Sequence, residues 1–346
     1  MGNIGNSAGM HSMEGAAAFD QVVSDAFFTW EPNRERAVVL ARVARVFWQS
    51  NAMRALRAAS DGLSEPIDCL MRAVSEIDLD RPLSPRLSAR LAGLMEAMER
   101  RDGYAVYDTL QAWSADPPST WYAQALTTES IATHAWETPL LREVRSTQIS
   151  GGGPLEFFPM LERDTQGLHG SMLEALGRIE TACPAMHAEI SSHVSMIKLF
   201  TGNGIEGLSS PKVYGALWLK APTLENAQSW FLEHLVHECS HLYLNAMLIV
   251  DPLLNNPQEM NKAPIRPDPR PMFQILHGTF VLARNCDVHA KLDTLYPELK
   301  LRPMLEKFRE QFRNGFEVLS KHMEPTERGA LLLDSLSSFC DELPKL

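Results

Sequence analysis

Residues Leu232–Met247 read Leu-Glu-His-Leu-Val-His-Glu-Cys-Ser-His-Leu-Tyr-Leu-Asn-Ala-Met, and the rest of the chain is interpreted around them. Within this stretch His237, Glu238 and His241 form the pattern H-E-x-x-H. On a helix, positions i and i+4 share a face, so two imidazoles so spaced can reach one metal ion. With His234 set at 0° and roughly 100° per residue, Glu238 falls near ~40°, Asn245 near ~20°, His241 near ~340° and His237 near ~300°. The opposite arc collects Leu232, Leu235, Val236, Cys239, Leu242, Tyr243 and Ala246. One face wants a core and the other carries three histidines and a carboxylate.

The surrounding composition is that of a globular protein. The 346 residues are 45% hydrophobic and 22% charged, which is enough material for a sizeable core in one large or two ordinary domains. A formal net charge of −11 argues against a nucleic-acid partner. No apolar run approaches the length of a membrane span, and MGNIGNSAGMHSMEG at the start lacks the pattern of a secretory signal. The five cysteines are widely spaced and odd in number, which suits reduced thiols in a cytoplasmic protein.

The expected fold is α+β and predominantly α-helical, with a small sheet next to the metal helix. Residues 1–15 read as a flexible leader, 16–150 as a helical N-terminal region and 151–346 as the metal-binding catalytic region. Residues 16 to about 136 look almost entirely helical, and the charged residues of Arg34–Arg45 read as a solvated helix face. Ser84-Pro85 reads as a capped helix start, and Asp116–Ser119 separates a helix ending near Trp113 from one beginning near Trp121. Ser150–Pro154 marks a hinge or turn. Strands are expected over Val194–Phe200 and Val213–Leu219. Six prolines between Asp251 and Pro271 forbid helix and resist sheet there, leaving a long loop beside the metal helix. Helices follow from Met272, around Phe308–Leu319, and over Ala330–Cys340.

Two imidazoles leave a divalent ion short of ligands. Glu259, Asp287 and His277 are the candidates for a third, since Met247 occupies the place where some zinc proteases carry a histidine. His277 is preferred because Gly278 beside it would permit close approach.

The stretch Leu235–Leu292 adds a more specific combination. H-E-x-x-H is followed by Asp251-Pro252-Leu253-Leu254, then by Arg266-Pro267-Asp268-Pro269-Arg270-Pro271, then by Leu276-His277-Gly278. In this it resembles the HExxH-type peptide β-hydroxylases, 2-oxoglutarate-dependent iron enzymes of ribosomal peptide natural-product pathways. Thr165–Leu219 shares the resemblance weakly, and residues 1–150 do not share it. The resemblance implies His237, His241 and His277 as Fe(II) ligands and a ribosomally made precursor peptide as the partner. It leaves the role of Glu238 open between a general base and a group orienting the ligands. Arg270 and Arg284, each seven residues from His277, are the candidate cations for the 2-oxoglutarate carboxylate. The competing readings are a zinc metallopeptidase using His237, Glu238 and His241, and a non-catalytic peptide-binding protein stabilised by its metal.

Overall fold

A computed structural model describes residues 23–60, 65–123, 125–131, 137, 140, 156–263 and 268–344. The fold is α+β and predominantly helical, with one four-stranded mixed sheet and one small antiparallel pair of strands. The leader, the Ser150–Pro154 turn and Arg266 lie outside the described residues. Among the described residues no helix is long and apolar enough to cross a membrane.

The chain divides into two compact units, each assembled from separate stretches. Among the described residues the first contains those of 41–162 and 192–220, and the second those of 23–40, 163–191 and 221–344.

In the first unit, helices α1 (Arg34–Ala59, from Ala41 onward), α2 (Glu65–Ser75), α3 (Pro85–Glu99) and α4 (Gly103–Ala115) enclose an apolar cluster. Its members include Trp48, Leu56, Leu70, Leu87, Leu94 and Trp113. The start of α3 departs from expectation, because the Ser84 side chain makes no capping bond. Instead its backbone N–H is tied to the Trp121 carbonyl at 2.8 Å. No helix begins at Trp121, which closes a 3-10 turn over Pro118–Trp121.

The sheet of this unit has the order β1-β2-β4-β3, with β1 (Thr127–Ser130), β2 (Met196–Phe200) and β4 (Ala216–Lys220) parallel. β3 (Gly207–Ser209) runs antiparallel to β4. Two strands were expected and four form. β1 reads Thr-Thr-Glu-Ser and has no apolar alternation to betray it; pairing with β2 makes it a strand. In that register Glu129 stands opposite Lys198, and the fully buried Lys198 ammonium donates to its carboxylate at 2.9 Å. The expected strand at Val213 starts later, at Ala216, because Pro211–Val213 forms a 3-10 turn and Gly215 adopts φ 92.

In the second unit, α7 (Ala227–Val250), α8 (Met272–Leu295), α9 (Arg302–His322) and α10 (Glu327–Glu342) form the core, with α8 packed on both α7 and α9. α5 (Glu162–Ala182, from Arg163 onward) and most of α6 (Pro184–His193) belong to the same unit. Phe312 lies edge-on to Phe339 at 5.2 Å, joining α9 to α10. The proline-rich segment does contain sheet: β5 (Met260–Asn261) pairs antiparallel with β6 (Arg270–Pro271). Prolines are compatible with strand edges, where the missing N–H is not required by a neighbour.

Candidate metal centre

The helix carrying H-E-x-x-H is buried on more of its circumference than a two-faced pattern requires. Leu232, Leu235, Val236, Cys239, Leu242, Tyr243 and Ala246 are fully buried, as the apolar arc predicts. His237 and Glu238 are buried as well, each 4% exposed. The polar arc cannot stay open because α8 packs across α7. Trp230, His234, His241 and Asn245 form the half-buried stripe that remains. At its upper end Trp230 and His234 stack with ring centroids 3.7 Å apart and planes 6° apart. The His234 Nδ1–H donates to the Trp230 carbonyl at 2.9 Å.

His277 comes to the same place from α8. Backbone carbonyls of the proline-rich segment position the start of that helix: Pro257 accepts from the Phe273 N–H and Glu259 from the Met272 N–H. These bonds satisfy donors that a helix N-terminus leaves free. One turn on, His277 is 4% exposed, and its ring lies 25° from the plane of His241 with centroids 5.5 Å apart. The two Nδ1 atoms are 3.3 Å apart. His237 meets His241 edge-on at 5.0 Å between centroids.

Gly278 does not act as expected. A Cβ added there would meet nothing within 4 Å, so no close approach depends on its lack of a side chain. The other third-ligand candidates are engaged elsewhere. Glu259 accepts from the side chains of Asn256 and Asn261, and Asp287 pairs with Lys291 at 2.7 Å.

The electrostatics favour neutral imidazoles. Burial pulls His237 down to about 3 and His277 down to about 4, and burial with the neighbouring histidines holds His241 well below the usual range. A neutral imidazole offers a lone pair, the form a metal ion takes. The His237 Nε2 is buried with no hydrogen-bond partner among the described residues. Two nitrogens bound to one divalent ion at about 2.1 Å would stand roughly 3.0–3.4 Å apart. The His241–His277 separation falls in that interval, although a single shared N–H would also account for it. Among the described residues no three His, Cys, Asp or Glu donors already converge as a metal-holding group. The arrangement is thus a facing pair of donors with a third imidazole one helical turn away. The donor chemistry fits a divalent ion.

The two arginines part company. Arg270, on β6, pairs with Asp268 at 2.6 Å and is partly exposed. Arg284 is fully buried in an ion pair with Glu189 of α6, also fully buried. Its guanidinium lies 4.5 Å from the Tyr243 ring centroid and 5.1 Å from that of Phe280. Glu189 also accepts the Asn33 N–H at 2.8 Å. Nothing in the sequence around Glu189 signals this pairing, since it lies 95 residues away from its partner on an otherwise ordinary helix.

Compared with known proteins, the chain matches no family model, and no curated protein matches it.

Proposed function

We propose that this protein is an Fe(II)- and 2-oxoglutarate-dependent dioxygenase that hydroxylates a side chain of a ribosomally made peptide at the β-carbon. The observation that supports it most is His277 facing His241 at 3.3 Å between Nδ1 atoms, beside a buried His237 whose Nε2 lacks a partner. A three-histidine set leaves positions on an iron ion for a co-substrate and oxygen. With both bound, the group would supply an oxidant that turns a C–H bond into C–OH while 2-oxoglutarate and O2 become succinate and CO2.

His237, His241 and His277 hold the ion as neutral donors, kept so by burial. Arg270 is the cation assigned to the distal carboxylate of 2-oxoglutarate, with Asp268 orienting its guanidinium. Arg284 is less suited, because the Glu189 carboxylate already answers its charge. Glu238, buried beside the ligands, orients them or a peptide group and abstracts no proton. Trp230 and His234 extend the half-buried stripe of α7 along which an incoming peptide would lie.

A zinc metallopeptidase has one observation in its favour, a buried carboxylate in the position of the general base. Anaerobically iron-loaded protein separates the two. The dioxygenase releases succinate from 2-oxoglutarate and adds one oxygen atom to an intact cognate peptide, and Glu238→Gln lowers activity only in part. Peptide cleavage by zinc-loaded protein, with Glu238→Gln inactive and 2-oxoglutarate irrelevant, would establish the peptidase instead.

A further inference from the structure

The first unit contains a small cleft with no part in the proposed chemistry. Its lining includes Arg45, Trp48, Ser88, His193, Tyr214 and Gly215. Arg45 was expected on a solvated face but is only 7% exposed. Its Nε donates to the Leu79 carbonyl at 2.6 Å, drawing the side chain inward. Among the described residues no carboxylate pairs with it and no acceptor takes its terminal amino groups. The nearby Asp80 is paired with Arg42 at 3.0 Å. Burial lowers the pKa of Arg45, opposed by Tyr214 and Asp80, and a guanidinium remains charged under ordinary conditions.

The other walls complete a polar end and an apolar side. The Ser88 hydroxyl, 5% exposed as a residue, makes no hydrogen bond among the described residues. His193 Nδ1 and the Tyr214 hydroxyl are hydrogen-bonded to each other. Gly215 turns the chain after Tyr214 at φ 92, and a Cβ there would press on Ser195 Oγ at 3.3 Å and Pro85 Cγ at 3.4 Å. Trp48, Pro82 and Leu83 supply apolar surface.

We propose that this cleft binds the carboxylate of a small aliphatic acid, with Arg45 as counter-ion, Ser88 as a second donor and Trp48 against the hydrocarbon. A guanidinium drawn into a cleft, with terminal donors that no acceptor among the described residues takes, suits an anion, and its planar end matches a carboxylate. The space left for water-sized groups is about 20 Å³. A single water needs about 10–15 Å³ on this measure, so the enclosed end takes no more than a carboxylate head group, any hydrocarbon tail lies in the open part of the cleft, and a nucleotide is excluded. A phosphate, with four oxygens to satisfy against a carboxylate's two, is the bulkier and poorer match for one guanidinium end and one hydroxyl in so small a space. This site is independent of the metal centre.

The test is calorimetric titration of the full chain with propionate, and separately with inorganic phosphate, in a carboxylate-free buffer. Propionate should bind saturably at one site and more tightly than phosphate. Arg45→Lys should weaken it at least tenfold, because the charge stays while the fork is lost. Arg45→Lys could also disturb folding through Leu79, so Ser88→Ala provides a second variant, expected to weaken binding several-fold with an unchanged unfolding midpoint. His277→Ala should bind propionate as the parent does. The proposal is overturned by absence of saturable binding, by tighter binding of phosphate, by undiminished binding in both cleft variants, or by loss of binding in His277→Ala.

Discussion

Arg284 and Glu189 form an ion pair with neither side chain exposed to solvent. Two charges withdrawn from water gain little net stability over apolar residues of the same size, but removing one leaves the other stranded. The two rings beside the guanidinium, Tyr243 and Phe280, give it a further favourable surface while excluding water. The pair joins α6 to α8 seven residues beyond His277, and so braces the helix that presents that histidine.

Glu189→Gln should therefore cost about 3–5 kcal/mol of stability, the usual loss on breaking a buried pair. Replacing both partners with apolar residues should recover much of it. Arg284→Lys should lower stability with little change in the KM for 2-oxoglutarate, whereas Arg270→Lys should raise that KM. Denaturant unfolding and 2-oxoglutarate kinetics read the two effects separately. A raised KM in Arg284→Lys with unchanged stability would return that arginine to the co-substrate.

His277→Ala should abolish tight iron binding and leave the helical circular-dichroism signal intact. The His241 ring loses its facing partner, while α8 keeps its packing through Ile275, Leu276, Phe280 and Leu282, all buried. Metal content after equilibrium dialysis is the measurement. Full iron occupancy in the variant would move the third ligand to His234, Glu259 or Asp287.

His289 makes stability depend on pH. Its Nδ1–H donates to the Asn285 carbonyl at 2.9 Å, and its Nε2 is buried without a partner among the described residues. Burial lowers its pKa from 6.5 to about 4, so the unfolded chain takes up a proton that the folded chain refuses between those values. Its contribution is present above pH 6.5 and is lost as pH falls towards 4. The slope is at most about 1.4 kcal/mol per pH unit for one proton. His289→Leu should flatten the pH dependence of denaturant unfolding in that window by up to one proton; an unaltered slope would mean that His289 is protonated in the folded protein.

Gly329 in α10 has no room for a side chain. A Cβ there would lie 1.7 Å from the Leu253 carbonyl oxygen, and Leu253 is itself held at φ 63. That carbonyl accepts the Thr326 N–H at 3.1 Å, and the Thr326 hydroxyl caps α10 by accepting the Gly329 N–H at 3.0 Å. Gly329→Ala must displace the segment that follows α7, at a cost of about 1–3 kcal/mol. Thermal unfolding measures the loss. Gly278→Ala, with nothing near its Cβ, should be neutral or slightly stabilising because alanine is the better helix former.

The sequence by itself determined the helices from Ala227 onward and the histidine spacing. Periodic apolar residues and proline boundaries act within a few turns, so α7, α8, α9 and α10 were legible, as was the placing of His237 and His241 one turn apart. Only the tertiary structure decided what depends on partners far along the chain. β1 is a strand because β2 pairs with it, and Arg284 is neutralised by Glu189 from another helix. His277 faces His241 because α8 crosses α7, which also buries the polar arc that the helical wheel left open. Arg45 is drawn inward by a carbonyl 34 residues away. Local spacing fixes which residues share a helix face, whereas long-range packing fixes what that face meets and which charges are answered there.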